Sequence, residues 1–461
     1  MEFTNYRKRS AFTFPNFVSF ILATQKCWVL LNSRSLGRLQ DNLRYSLKII
    51  KAEHMPNNHT TKKILYVENG IGYGGAIICL RHLVRNLDRS LYTPMVITGR
   101  TGPQYQEIAN EALWKHIPDR HIDIVGAHRK LDPTTWPDKI PGLRFIINQI
   151  LARADDLFNF LPFFLSLLWT AKQFKADIIH ANNEPLCNRA ALLVGRILKI
   201  PTVCHVRGDQ KGSQAMAWSY SLVDHFIPVS HWVSQSIQNN LNISEDKITV
   251  IYDGLELGKL DINANGQNFR RQHNISTDSF TIGLVGLLIP WKGQEIFLDA
   301  AAQLKDKIPS LKMLIVGGTP DDCLAYESML RERVINEGLI DTVQFTGHSS
   351  NMPEVYNGLD IVLSASISPE PLGTVVIESM AMARPLIGPN HGGAKEMMDH
   401  NKTGLLFEAG NSTSLADTIY QFYNSKELRE SLGNAAREKA LDTFSVEEHV
   451  KHVQAIYTRF L

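Results

Sequence analysis

From Ile64 onward, short runs of β-branched and aliphatic residues alternate with segments of helical period, and the alternation happens twice. A strand, a helix and a second strand in succession make a crossover that lays the two strands parallel, so the pattern predicts parallel sheets with helices on both faces. In the first series the predicted strands are 64–68, 94–98, 122–125, 177–180, 202–206, 226–229 and 248–252. A polar, turn-rich stretch at 258–279, containing Asn263, Asn265 and Gly266, reads as a linker. The second series predicts strands at 281–285, 312–316, 343–346, 361–364 and 386–388. The fold class that follows is α/β, with two Rossmann-like, doubly wound parallel-sheet domains facing one another across a cleft. Residues 61–260 form the first, 278–440 the second, and 441–461 a C-terminal helix that crosses back to the first domain. No internal sequence repeat is visible. Open α/β sheets bind ligands outside the carboxyl ends of their strands, which makes the cleft the expected site.

Composition narrows the partners. The chain has 461 residues, 44% hydrophobic and 20% charged, enough apolar surface for two cores. With 48 Lys and Arg against 46 Asp and Glu, no broad field invites nucleic acid, so any anion site is local. Cys27, Cys79, Cys187, Cys204 and Cys323 are far apart and never in a CxxC pair, which excludes a disulfide framework or zinc cage and suits a reducing, cytoplasmic compartment. There is no DxD pair, HExxH or close His/Cys set, so no metal is expected. The most apolar segment, 157–169, is too short to cross a bilayer. It reads first as a sheet-covering helix, and its borders, Arg144, Arg153, Lys172 and Lys175, also suit shallow contact with the inner face of a membrane. Residues 1–60 read as an N-terminal extension. They are basic and Ser-rich without a signal-peptide pattern, and Met55 has the look of a natural start that makes 1–54 dispensable or untranslated.

Several segments carry chemistry. Glu370 to Glu378 follows a predicted strand and opens a helix predicted to reach Ala383, with Pro371 suited to its first turn. Gly373 there lets backbone approach a ligand, amides at the helix start face an anion, and the two carboxylates can accept hydrogen bonds from vicinal hydroxyls. A capping acid plus a surface glutamate is the plainer reading of the pattern alone. Lys292, in the turn after the strand 281–285, sits where an ammonium reaches phosphate oxygens. Gly70, Gly72 and Gly75 satisfy GxGxxG, but the second strand ends at Thr98-Gly99-Arg100 with no acid at its tip, which argues against NAD and leaves a slim NADP possibility through Arg100. His205 and Arg207 stand at a strand's carboxyl end, the first able to orient a reacting group, or simply to pack, and the second to pair with phosphate. His180 raises the same question and is followed by the polar set Asn182, Asn183 and Glu184.

Taken in order, these segments resemble glycosyltransferase family 4, retaining enzymes of the GT-B fold, from about Ile64 to the C-terminus. Gly74-Gly75-Ala76 looks like the family's glycine loop and His205 matches its N-domain histidine. Val250 to Glu256 resembles its Asn-Gly-Val-Asp turn, with Asp253 for Asn, and Lys292-Gly293 matches its Lys-Gly pair. Glu370 to Glu378 matches its spaced glutamates, and Gly392 to Glu396 with Thr403 to Leu406 the segment after them.

The resemblance implies a nucleotide-diphosphate-sugar donor and a glycan or lipid-linked acceptor in polysaccharide or glycoconjugate synthesis, with no cofactor, metal or nucleic acid. Glu378 would hold ribose hydroxyls, Glu370 and the backbone at Gly373 and Thr374 the sugar, and Lys292 the diphosphate. Gly74 and Gly75 would border the donor, and His205 would lie beside the transferred sugar. One departure is clear: Leu287 stands where the family usually has an Arg, and Arg207 is the expected substitute. A nucleotide-sugar epimerase of the same fold, an NADP oxidoreductase and a catalytically weak sugar-nucleotide binder remain alternatives.

Overall fold

The computed structural model describes residues 61–70, 74–131, 134, 136–210 and 214–461, so the extension 1–60 lies outside the described residues. Two six-stranded, all-parallel sheets form the two lobes. The first is built from β1 (Lys62–Glu68), β2 (Tyr92–Thr98), β3 (Leu113–His116), β4 (Ile178–Ala181), β5 (Thr202–Val206) and β6 (His225–Pro228), in the order β3-β2-β1-β4-β5-β6. The second holds β7 (Phe280–Val285), β8 (Leu311–Val316), β9 (Val343–Gly347), β10 (Ile361–Leu363), β11 (Leu386–Pro389) and β12 (Leu405–Phe407), in the order β12-β11-β10-β7-β8-β9. Read from the other edge, the second order repeats the first, strand for strand. Each sheet reverses its winding once, between β1 and β4 and between β7 and β10, and helices flanking such a point diverge and leave a crevice at the carboxyl ends. The helices used below are α1 (Gly75–Asn86), α2 (Ile124–Leu131), α3 (Leu143–Asp155), α4 (Leu161–Phe174), α5 (His231–Leu241), α6 (Thr374–Ala381), α7 (Gly392–Met397), α8 (Lys426–Thr443) and α9 (Val446–Thr458).

Alternation along β1 assigns its two faces. Ile64 and Tyr66 enter a core with Leu80, Leu83 and Val84 of α1, whereas Leu65 and Val67 meet Phe163, Phe164 and Leu167 of α4. The first of these cores is completed by Val450, Val453, Ile456 and Tyr457 of α9, so the last helix of the chain covers the first sheet. The chain crosses between lobes twice, and the crossings are bonded side by side: Leu255 N donates to Phe444 O at 3.0 Å and Val446 N to Leu255 O at 2.9 Å. Gly254 allows this approach, since a Cβ there would lie 2.6 Å from His449 Cβ.

Several expectations are corrected. The segment 122–125 is no strand; the third strand is β3, and Ile124 begins α2. β3 lies at the sheet's edge with all four residues only half-buried, so it lacks the apolar signature of an inner strand. The stretch 248–252 forms a single bridge, Ile248 to Phe226, rather than a strand, although the amides of Thr249 and Ile251 bond to β6. β12 went unpredicted because it is three residues long. The helix after Glu370 is also shorter than expected: Gly373 is its N-cap, Thr374 its first residue, and Pro371 lies in the loop before it. Among the described residues no helix is long and apolar enough to cross a membrane.

Candidate active site

The crevice at the β7–β10 switch point gathers Lys292, Glu370 and Gly373 of the second lobe's predicted residues. Lys292 is delivered by the turn after β7, and Glu370 by the loop after β10. Gly293 fixes that turn: its φ is +79°, and a Cβ there would meet Ala365 O at 2.0 Å, so only glycine lets the turn press against the β10 loop. Ile367 N donates to Trp291 O at 2.9 Å and ties the two loops together. The result is an ion pair, Lys292 Nζ to Glu370 Oε2 at 2.7 Å, with the ammonium 4.6 Å from the Trp291 ring centroid. Ser366 Oγ donates to the other carboxylate oxygen of Glu370. Ser364, Ser366, Glu370, Gly373, Val376 and His391 line the cavity here, and the Gly373 cap leaves the N-terminus of α6 without a side-chain acceptor or an acid in its first turn. Partial positive charge therefore meets the cavity beside the Lys292–Glu370 pair.

His391 is a residue the sequence reading missed. Its Nε2 lies 2.9 Å from Ser366 O, a pure acceptor, so Nε2 carries the proton and Nδ1 is left as a buried acceptor with no partner. A hydroxyl entering the cavity could satisfy it. The signal was its place at the end of β11, directly before the Gly392-Gly393 pair. Glu378 is found elsewhere: it does not line this cavity, and its Oε2 accepts from Tyr356 OH at 2.6 Å. Burial pushes its carboxyl up, and the tyrosine bond offsets only part of that. Leu287 is 51% exposed.

The first lobe is arranged differently from expectation. Gly74 caps α1, and a Cβ on Gly74 or Gly75 would meet nothing within 4 Å, as an open loop requires. Across the β1–β4 switch point Glu68 accepts from Asn182 Nδ2, from Asn183 Nδ2 at 3.2 Å and from Gly70 N at 2.9 Å. Burial pushes its carboxyl up against those bonds.

His205 sits at the end of β5 with its Nε2 left without a partner. It is fully buried, its Nδ1 is 2.7 Å from His180 Nε2, and its ring stacks between those of His180 and His449 at 4.8 and 5.6 Å. The side chain points to the sheet face that α9 covers, a fact invisible from the strand alone. Burial, then the nearby Arg207 charge, lower the pKa of His180 and His205. Burial also lowers that of His449, against the pull of Asp253.

Arg207 is likewise no free cation: Nε and Nη2 clasp both oxygens of Asp253 at 2.9 and 2.7 Å, and Nη1 donates to Asn182 O at 2.7 Å. Burial would raise the Asp253 carboxyl, but the guanidinium outweighs it and holds the pKa below the usual range. Arg207 is therefore corrected from phosphate ligand to structural clasp. Among the described residues, His205, Asp253 and His449 present ligand atoms within 4.8 Å of one another. With Arg207 holding both carboxylate oxygens, its charge opposes a cation there.

The lobes also meet directly. Glu396 of α7 accepts from the amides of His231 at 2.8 Å and Trp232 at 2.6 Å, the open first turn of α5. Burial and this carboxylate push the Tyr252 phenol up to about 12.

Comparison with known proteins gives consistent findings. Residues 265–439 match the family described as glycosyl transferases group 1, and residues 73–259 match glycosyltransferase family 4. The chain is 24% identical to N-acetyl-alpha-D-glucosaminyl L-malate synthase of Bacillus anthracis, over 69% of this chain and 84% of that protein. It is 25% identical to the capsular polysaccharide biosynthesis glycosyltransferase CapM of Staphylococcus aureus, over 50% of this chain and 61% of that protein. In fold it is similar to Anabaena HepE, solved in complex with UDP: the TM-score is 0.71 at 21% identity, covering 86% of this chain and all of the other.

Proposed function

The chain belongs to glycosyltransferase family 4 and is a glycosyltransferase of the GT-B type, and from that premise we propose that it moves a sugar, with retention, from a nucleotide-diphosphate donor to a glycan or lipid-linked acceptor in polysaccharide or glycoconjugate synthesis. The observation that carries this reading is the Lys292–Glu370 pair set against the uncapped start of α6 at a topological switch point. A diphosphate entering the crevice would meet the ammonium and the α6 amides, and Glu370, released from Lys292, would accept from sugar hydroxyls with His391 Nδ1 as a second acceptor. The acceptor hydroxyl then attacks the anomeric carbon on the face from which the diphosphate leaves. The bond from carbon to phosphate oxygen breaks, and the hydroxyl proton passes to the departing phosphate. Lys292 and the helix start stabilise the charge that develops, so the reaction is proposed to run without metal, in the cytoplasm or at the membrane's inner face. Glu378 is proposed to hold the ribose after exchanging its Tyr356 bond. That UDP occupies HepE and that CapM serves capsule synthesis support the donor and product classes.

The test is a set of nucleotide sugars screened by thermal unfolding and turnover. A donor far above its dissociation constant stabilises the protein by about 3 kcal/mol. Lys292→Ala lowers turnover by about 10²- to 10³-fold, and EDTA leaves it unchanged. No stabilisation by any nucleotide sugar, or equal turnover in Lys292→Ala, overturns the reading. Loss of activity on chelation overturns its metal-free part.

A further inference from the structure

α3 is 13 residues long and has no buried residue. Ile146 and Ile150 occupy one stripe of it, extended by Leu157 in the following π turn, with Phe145 and Phe158 beside them, all exposed. Ile150 is 62% exposed, and Ile140, just before the helix, 58%. A surface helix ordinarily turns such a stripe toward a core, and here none meets it.

Topology explains the exposure. β3 ends at His116, at the carboxyl edge of the first sheet, and the chain returns to the start of β4 along α4, whose Phe163, Phe164 and Leu167 fill the core. α3 leads into α4 through the single π turn Asp156–Phe160, and only α4 of the two reaches the sheet core. α3 comes before that return, on the side of the carboxyl ends, where the cleft lies.

Charge says what covers this face. Arg129, Lys130 and Lys139 are exposed around it. Among the described acids beside it, Asp138 pairs with Arg144 at 2.6 Å and Asp156 with Arg153 at 2.9 Å. An apolar stripe with two phenylalanines and basic borders matches the boundary between acyl chains and anionic headgroups. A second copy of the chain would instead set these cations against their own kind.

We propose that α3, with Ile140 and the end of α2, is a membrane-docking surface that sinks Phe145, Ile146 and Ile150 into an anionic leaflet while Arg129, Lys130 and Lys139 meet its phosphates. This differs from the apolar run 157–169, most of which covers the sheet. The geometry stands by itself; its purpose, bringing a lipid-linked acceptor to the cleft, rests on the transferase reading.

Flotation of the full chain with phosphatidylglycerol and phosphatidylcholine vesicles tests it. The protein floats with the anionic vesicles. Ile146→Glu combined with Ile150→Glu lowers the bound fraction about tenfold, and Arg129→Gln, Lys130→Gln and Lys139→Gln together remove the preference for anionic lipid. Neither substitution touches a buried residue, and both leave nucleotide-sugar stabilisation unchanged. The proposal is overturned if the wild type fails to float or the double variant floats equally. It is also overturned if the double variant breaks a dimer in sedimentation without altering flotation, which assigns the face to a second copy. Flotation without any nucleotide-sugar binding would sink the transferase reading and leave the docking surface standing.

Discussion

Lys292 and Glu370 neutralise one another at 2.7 Å; each residue was legible because it lies in a loop that follows a strand of an alternating pattern, although the ion pair between them was not. Residues that follow parallel strands on either side of a winding reversal converge whatever the lobe's details. His205 and Arg207 satisfied the same strand-end rule and yet are buried, because strand ends have two faces and only α9, more than two hundred residues away in sequence, decides which is covered. Arg207 then separates the two kinds of role experimentally. Arg207→Ala leaves the Asp253 carboxylate buried and uncompensated, so denaturant unfolding will show a loss of about 3–5 kcal/mol. Nucleotide-sugar binding by the fraction that remains folded stays intact, whereas a phosphate-binding role would weaken binding without that instability.

At the scale of elements, inner strands were read correctly to within a residue or two because both faces are buried and nearly every side chain is apolar. Two edge strands were not, since β3 is half-wet and β12 three residues long, whereas the edge strands β6 and β9 were read to within a residue; 248–252 borrows bonds from β6 without completing a ladder. The start of α6 was similarly displaced, since Thr374, behind its Gly373 cap, rather than Pro371, begins the helix. The start of α5 had a signal of its own, Ser230 as N-cap, but nothing in its local sequence announced a partner from the other lobe. Glu396 supplies that partner by taking two open amides. Replacing it with Ala will cost about 1 kcal/mol, and hydrogen exchange will speed up at His231 and Trp232. Unaltered exchange there would show the contact to be dispensable.

Across the whole molecule, the two sheets share a strand order that no sequence repeat reveals, so the duplication is one of topology. Between them the crossings at Leu255 and Ser445 form a single stitched seam. Beside that seam lies the histidine stack of His180, His205 and His449, each with its pKa lowered chiefly by burial. The sign follows from proton uptake: histidines in the unfolded chain protonate near pH 6.5 while the buried ones resist. Their stabilising contribution is complete above that value and is lost as pH falls from it toward the lowered folded values. Unfolding midpoints will therefore drop below about pH 6.5, and His449→Gln will flatten the drop; an identical profile in that variant would locate the sensitivity elsewhere.

α9 also sets a timetable for synthesis. The half-finished core over Ile64, Tyr66 and Val203 must wait on the ribosome until residues 446–458 emerge. The lobe made first is thus the last to mature, and the later-made lobe, whose own cores draw little from α9, can condense ahead of it.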